Sequence, residues 1–224
     1  MIKGFLYIVA STTIFISAYF MQNKKVINYL PLGDSYTIGT GASEKEAWPY
    51  LLAGHLNEKN TSCKLLANPA QNGFTTQDLI DEELPVVKKL KPNFVTLLIG
   101  VNDWVQGVSK ADYAKNLVYI LDAVQKELPG KTKLVLVTIP DFGVTPTGKS
   151  YSRGRNIGEG ISEFNEIIKA EGLKRKLPVV DIFEISKKMG SDNSLVARDG
   201  LHPSAKEYAE WEKVILPEAI KVLK

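Results

Sequence analysis

The chain has 224 residues, of which 44% are hydrophobic and 24% are charged, and its formal net charge is +3. A chain of this length forms one domain or two small ones, and its composition excludes collagen-like, disordered and coiled-coil proteins. The positive charge comes from the first 25 residues, which hold three lysines and no acid. Residues 26–224 therefore carry 25 basic and 25 acidic side chains. This balance removes the main argument for a nucleic-acid partner, which would need a basic face, and we expect no such partner.

Cysteine and histidine are both rare, which limits the chemistry open to this chain. Cys63 is the one cysteine of the sequence, and this excludes an internal disulfide and a thiolate cluster for zinc or iron–sulfur. Histidine occurs only as His55 and His202. A histidine that acts as a general base must therefore be one of these two residues.

An uncharged stretch, residues 4–21, lies between Lys3 and the Lys24-Lys25 pair. Its length falls between the apolar core of a signal peptide and a minimal membrane span. A helix of this composition would be apolar nearly all round, unlike an amphipathic helix packed on a domain. We expect residues 1–25 to be a cleaved signal peptide or an N-terminal membrane anchor. Residues 26–224 would then form an exported domain, in the periplasm or outside the cell.

From residue 26 onward, short apolar runs alternate with helical patterns. The predicted strands are residues 26–32, 64–67, 94–99, 133–139 and 178–180. The predicted helices are residues 48–56, 76–90, 111–128, 157–173, 182–188 and 205–223, the last interrupted at Pro217, which lacks a backbone donor. Strands that are apolar on both faces are typical of a parallel sheet covered by helices. The pattern predicts a three-layer α/β/α sandwich with about five parallel strands and a ligand site beyond their carboxyl ends.

Polar residues follow the first predicted strand, in the sequence Gly33-Asp34-Ser35-Tyr36. A serine at such a turn can present its hydroxyl to a cleft, and its own N–H can face the same way. The alternative is structural, because Asp-Ser pairs commonly form turns and helix caps. Taken alone, this segment predicts either a nucleophile, Ser35, or a cap.

A glycine and an asparagine follow the next two predicted strands. The backbone N–H of Gly73 can donate a hydrogen bond to a ligand, or the glycine can adopt the positive φ that a turn requires. Asn102, in the sequence Gly-Val-Asn-Asp, can direct its amide at a developing oxyanion or can cap the helix that follows. Both residues stay open to either interpretation at this point.

The last polar cluster lies near the C-terminus, where Asp199 precedes His202 by three residues in a loop with glycine and proline. This spacing lets the carboxylate accept from one imidazole nitrogen, while the other nitrogen faces outward as a base. The alternative is a histidine on a surface loop. His55 lies in the middle of a predicted helix, away from any strand end, and its position is typical of a helix surface residue.

At these residues the chain resembles the SGNH hydrolase family, also called GDSL esterases or lipases. The Gly-Asp-Ser of residues 33–35 resembles the block that carries the family's nucleophile. Gly73 and Asn102 resemble the second and third blocks, and the Asp199 to His202 segment resembles the last block. All four blocks occur in family order within residues 26–224. The family's fold is a flavodoxin-like α/β/α sandwich, in agreement with the alternation of strands and helices.

The resemblance implies a role for each of these residues. Ser35 is the implied nucleophile, His202 the base, and Asp199 the acid that orients it. The N–H groups of Ser35 and Gly73 and the side-chain amide of Asn102 form the implied oxyanion hole. The implied reaction is hydrolysis of a carboxylic ester through an acyl-enzyme, with no metal and no organic cofactor. Family members act on lysophospholipids, thioesters, acetylated sugars and simple esters.

The sequence departs from the family's name motif at one position, where Tyr36 replaces leucine. This residue and three other aromatic residues near strand ends, Phe74, Trp104 and Phe142, are candidates to shape the acyl pocket, together with the loop of residues 140–155. The alternative for all four rings is a place in the core.

Three other functions compete with ester hydrolysis. A nucleotide-binding protein is disfavoured, because residues 39–41 do not complete a G-x-G-x-x-G motif and no P-loop sequence exists. A silent carbohydrate- or lipid-binding module is disfavoured, because every catalytic position is filled. An acyltransferase on the same fold stays open, since only the acceptor of the acyl group differs.

Overall fold

The computed structural model describes residues 26–59, 62–131 and 133–224. The expected signal peptide or membrane anchor, residues 1–25, lies outside them. Among the described helices, none has both the length and the hydrophobicity required to cross a membrane.

The described residues form one five-stranded sheet in which every neighbouring pair of strands is parallel. The strands are β1 (Ile27–Gly33), β2 (Cys63–Leu65), β3 (Phe94–Leu98), β4 (Leu134–Val137) and β5 (Val179–Val180). Their order in the sheet is β2-β1-β3-β4-β5. The prediction of a flavodoxin-like sandwich with about five parallel strands is confirmed.

Helices cover the sheet and follow each strand in turn. They are α1 (Ser35–Ile38), α2 (Trp48–Glu58), α3 (Thr76–Asp78), α4 (Leu84–Leu90), α5 (Val101–Gln106), α6 (Lys110–Glu127), α7 (Ile157–Arg175), α8 (Phe183–Ser186) and α9 (Ala205–Leu223). A π-helical segment, Leu79–Glu83, joins α3 to α4. In one layer α9 packs against α2, and in the other α6 packs against both α4 and α7.

Strands β3 and β4 are buried along their whole length, which explains why their sequences do not alternate between apolar and polar residues. All five residues of β3 and all four of β4 are buried. Strand β1 lies between β2 and β3, with Gly33 in register with Leu98 at its carboxyl end. The loops after β1 and β3 therefore begin side by side at the same edge of the sheet.

The last helix differs from the prediction at Pro217, because α9 continues through this residue. Ile215 and Ala219, on either side of Pro217, are fully buried. Burial of this apolar face offsets the backbone hydrogen bond that the proline cannot make.

Candidate active site

Ser35 occupies the first position of α1, directly beyond the carboxyl end of β1. Asp34 caps this short helix, since its Oδ1 accepts a hydrogen bond from the N–H of Tyr36 at 3.0 Å. The N–H of Ser35 lies at the helix start, where no intrahelical acceptor exists, and it donates to no described residue. Nor does Ser35 Oγ form a hydrogen bond within the described part of the chain. The Asp-Ser pair thus forms the cap that the sequence allowed, and the N–H and Oγ of Ser35 have no hydrogen-bond partner among the described residues.

Two buried carboxyl groups lie beneath this turn. Asp34 is fully buried, and burial raises its pKa to about 8. Glu83 Oε2 accepts a hydrogen bond from the N–H of Gly33 at 3.0 Å, and burial raises the pKa of Glu83 well above its usual value. One oxygen of each carboxyl has no partner among the described residues. Both groups are therefore favoured in their neutral, protonated form beside the turn that carries Ser35.

Glu83 was not expected from the sequence to belong to the site. It ends an acidic run of three residues, and such a run is typical of a solvated helix face. The buried carboxyl of Glu83 pairs instead with the N–H of Gly33, fifty residues earlier in the chain. No local pattern carries that information.

Gly73 and Asn102 lie on two segments that the structure joins by hydrogen bonds. Asn102 Nδ2 donates to the carbonyl oxygen of Phe74 at 2.9 Å, and the N–H of Thr76 donates to Asp103 Oδ2 at 2.9 Å. Gly73 has a φ of +85°, a conformation that disfavours other residues, and its N–H donates to no described residue. The loop after β2 is thereby tied to the start of α5.

Asn102 does not cap α5, because Gly100 occupies the N-cap position. An N-cap side chain accepts a hydrogen bond from the helix backbone, whereas the Asn102 amide donates one to Phe74. A side-chain amide has two N–H donors, so one remains after this contact.

Asp199 and His202 form a direct contact in the loop before α9. Nδ1 of His202 lies 2.6 Å from Oδ2 of Asp199, and Oδ1 of Asp199 accepts the N–H groups of Leu201 and His202 at 2.9 Å each. Burial acts to raise the pKa of Asp199, but the hydrogen bonds from Leu201 and His202 outweigh it and lower the pKa below its usual value. The carboxylate stays charged and fixes the orientation of the imidazole.

The loop of His202 packs against the segment that follows Ser35. The ring centroids of Tyr36 and His202 are 5.9 Å apart. Gly41 has a φ of +100°, and a Cβ there would lie 2.5 Å from the carbonyl oxygen of Pro203, so a glycine permits this close approach. The Tyr208 hydroxyl adds a hydrogen bond to the carbonyl of Thr40 at 2.8 Å. No hydrogen bond joins Ser35 Oγ to His202, although both residues are described.

His55 lies apart from this group of residues. It is on α2, and its Nδ1 is 2.9 Å from Oε2 of Glu212 on α9. The His55 side chain is 42% exposed, whereas that of Glu212 is 2% exposed. The contact ties two helices together on the outer layer of the fold.

The four aromatic residues considered for the acyl pocket differ in burial. Tyr36, Trp104 and Phe142 are each no more than 5% exposed, while Phe74 is half-buried. The Trp104 and Phe142 rings meet edge to face with centroids 6.0 Å apart. Their burial favours the core alternative for Tyr36, Trp104 and Phe142. Phe74 keeps more exposed surface than the other three.

The loop after β4 lines a cleft of about 440 Å³. Arg155 in this loop lies over the ring of Trp104, 3.9 Å from its centroid, and donates to the carbonyl oxygens of Trp104 and Val105 at the end of α5. These contacts hold the helix that carries Asn102.

A parallel sheet in this strand order, flanked by helices, is the architecture of the GDSL and SGNH α/β hydrolases. The chain belongs to the GDSL-like Lipase/Acylhydrolase family, whose model matches residues 32–209.

Individual relatives agree with this membership. The chain is 30% identical over 138 residues to a multidomain esterase of Ruminococcus flavefaciens, a match that covers 62% of this chain and 17% of that protein. This chain therefore spans less than a fifth of that relative.

Solved structures show the same fold at lower identity. The family 3 carbohydrate esterase of Clostridium thermocellum superposes with a TM-score of 0.71 at 21% identity, covering 89% of this chain and 98% of that one. The lipase/acylhydrolase from Enterococcus faecalis gives a TM-score of 0.70 at 22% identity, covering 86% of this chain and 94% of that one.

Proposed function

We propose that this hydrolase is a serine esterase that cleaves carboxylic esters through an acyl-enzyme. The observation that carries the proposal is the 2.6 Å contact between Asp199 and His202, in a loop packed on the segment that follows Ser35. Ser35 is the proposed nucleophile, His202 the general base, and Asp199 the residue that holds the imidazole in one tautomer. Family membership supports the same chemistry.

The reaction proceeds in two stages. Ser35 Oγ attacks the ester carbonyl while His202 takes its proton, and the tetrahedral oxyanion is stabilised by the N–H groups of Ser35 and Gly73 and by Asn102. Collapse breaks the bond to the alcohol, which leaves with the proton from His202. Water activated by His202 then attacks the acyl-enzyme and releases the carboxylic acid.

The nucleophile is tested with a fluorophosphonate probe and with p-nitrophenyl acetate. Ser35→Ala is expected to abolish both covalent labelling and hydrolysis while the thermal unfolding profile stays that of a folded protein. Ser191→Ala is a matched control, since this serine is exposed and its Oγ donates to Lys188. A Ser35→Ala protein that still labels at the full rate would refute the assignment. A wild-type protein that does not label would indicate a silent binding module.

We also propose that residues 1–25 direct export, as a cleaved signal peptide or as a membrane anchor. The uncharged stretch between lysines supports this proposal. Cell fractionation with mass spectrometry of the N-terminus tests it. Recovery of the intact chain in the cytoplasm would contradict export.

A further inference from the structure

A second cleft, of about 640 Å³, is lined by residues of two segments, those that follow β1 and β2. One wall is the segment that follows Ser35, where the N–H groups of Gly39 and Thr40 donate to the Ser35 carbonyl. The other wall ends at Asn72, the residue before Gly73. The lining therefore includes the segment that begins three residues after the proposed nucleophile and the residue directly before Gly73, a proposed oxyanion donor. Its volume is within the range of roughly 300–1,000 Å³ that is usual for ligand sites.

The lining of this cleft is rich in neutral polar groups. Its polar side chains are Thr40, Glu44, Tyr50, Asn68, Gln71 and Asn72. Several of them are already positioned by one another, since Thr40 donates to Asn72 and the Tyr50 hydroxyl donates to Glu44. Asn68 Nδ2 donates to the carbonyl of Thr37 at 2.9 Å. These contacts hold the walls of the cleft in place.

Hydrogen-bonding groups remain unused after these internal contacts. Gln71 forms no side-chain hydrogen bond with another described residue, and Asn72 accepts from Thr40 through Oδ1, so its two Nδ2 donors are free of described partners. The cleft thus offers both donors and acceptors on planar amide groups, beside the Tyr50 ring.

The charge of the lining separates the possible ligands. No lysine or arginine lines the cleft, and Glu44 brings a carboxylate. A phosphate group would meet this negative charge without a cation to pair with it, which disfavours a phospholipid head group. A long acyl chain would leave the amide groups without hydrogen-bond partners. A neutral compound with many hydroxyl groups satisfies amides and a carboxylate alike.

We infer that this cleft is a subsite for a neutral saccharide, which forms the alcohol part of the ester. The inference rests on the proposed esterase function and narrows its substrate class to O-acylated carbohydrates. In the reaction, the saccharide oxygen leaves from the acyl carbon and receives the proton from His202, while the saccharide stays seated between Thr40 and Gln71.

Binding tests the subsite independently of catalysis. Unacetylated xylotetraose, cellotetraose and N-acetylchitotetraose are titrated into the wild-type protein and followed by the NMR signals of side-chain amides. At least one of them is expected to shift the signals of Gln71 and Asn68, while Gln77 stays unchanged. Gln77 is also exposed, but its side chain bonds Asp81 and does not line the cleft. If none of the three saccharides shifts Gln71 or Asn68, the subsite does not exist.

Kinetics tests the link to turnover. Acetylated xylotetraose, acetylated cellotetraose and p-nitrophenyl acetate share the acyl group and differ in the alcohol. For each protein, kcat/KM for the acetylated saccharide is divided by kcat/KM for p-nitrophenyl acetate. Gln71→Ala and Glu44→Gln are each expected to lower this ratio about tenfold, because each removes one hydrogen bond to the saccharide. Gln77→Ala is the matched control and should leave the ratio unchanged.

The outcomes distinguish the two proposals. If p-nitrophenyl acetate is not hydrolysed and Ser35 is not labelled by the fluorophosphonate, the esterase proposal fails. The NMR titration alone then shows whether the cleft binds a saccharide. If p-nitrophenyl acetate is hydrolysed but Gln71→Ala affects both substrates equally, the saccharide inference is overturned. Faster turnover of lysophosphatidylcholine than of either acetylated saccharide would also overturn it.

Discussion

Asn102 donates a hydrogen bond from its side-chain amide to the main-chain carbonyl of Phe74, over 2.9 Å. This contact joins the start of α5 to the loop that carries Gly73. It also fixes the plane of the amide, so that the second N–H has a defined direction without a mobile side chain. Asn102 is therefore suited to act as a preorganised donor in the transition state.

Substitution of Asn102 should reduce kcat far more than it changes KM. Loss of one oxyanion donor costs about 10²–10³ in rate. Asn102→Asp should be at least as slow as Asn102→Ala, because a carboxylate repels both the oxyanion and the Phe74 carbonyl. Steady-state kinetics with p-nitrophenyl acetate measures both parameters. Near-normal turnover in Asn102→Asp would place the oxyanion hole elsewhere.

Substitution of His202 should lower the catalytic rate, whereas substitution of His55 should lower the thermal stability. His202→Ala removes the proposed base and should lower kcat by about 10⁴-fold or more. His55→Ala should leave activity within about threefold, because its ring contacts Glu212 on the outer layer. It should instead lower the melting temperature, since the buried Glu212 carboxylate loses its partner. Kinetics and thermal unfolding of both variants test this division, and a reversal of the two effects would exclude His202 as the base.

Asp199→Asn should separate orientation of the imidazole from binding of the substrate. The asparagine Oδ1 can still accept the N–H groups of Leu201 and His202, so the loop should keep its shape. Its Nδ2, however, would face Nδ1 of His202 as a donor and favour the wrong tautomer. We expect a large loss in kcat with little change in KM. Full activity in this variant would mean that Asp199 only shapes the loop.

The buried carboxyl of Asp34 should make stability depend on pH. Burial raises its pKa to about 8, whereas an unfolded aspartate has a pKa of about 3.9. Between these values the folded state keeps a proton that the unfolded state has lost. The contribution of Asp34 to the free energy of unfolding should therefore be greatest at low pH and fall as pH rises toward 8.

The test compares urea unfolding at pH 5 and pH 8 in three proteins. Asp34→Asn keeps an acceptor for the Tyr36 N–H and removes the titration, so its stability should fall less over this range than that of the wild type. Glu82→Gln, at an exposed position, is the control, and its free energy of unfolding should change between pH 5 and pH 8 as much as that of the wild type. If the free energy of unfolding of Asp34→Asn changes as much as that of the wild type, the Asp34 carboxyl does not titrate between pH 5 and pH 8.

Much of the fold could be predicted because its signals are local. Short runs apolar on both faces mark buried parallel strands, and the helical repeats between them leave few arrangements other than a sandwich. The contact of Asp199 with His202 is also local, since three residues in one loop separate them. The Asp-Ser turn after β1 is a third local feature, formed by the cap on the Tyr36 N–H.

Other features were decided only when distant segments packed together. The donation of Gly33 to Glu83, the contact of Asn102 with Phe74 and the approach of Gly41 to Pro203 each join residues more than twenty-five positions apart. Periodicity describes one element at a time, so it could not tell that Glu83 is buried or that Trp104 lies in the core. It could not show that α9 runs through Pro217 either, because the burial that offsets the lost hydrogen bond comes from contacts with other elements. Burial depends on which surfaces meet, and that is a property of the packed chain.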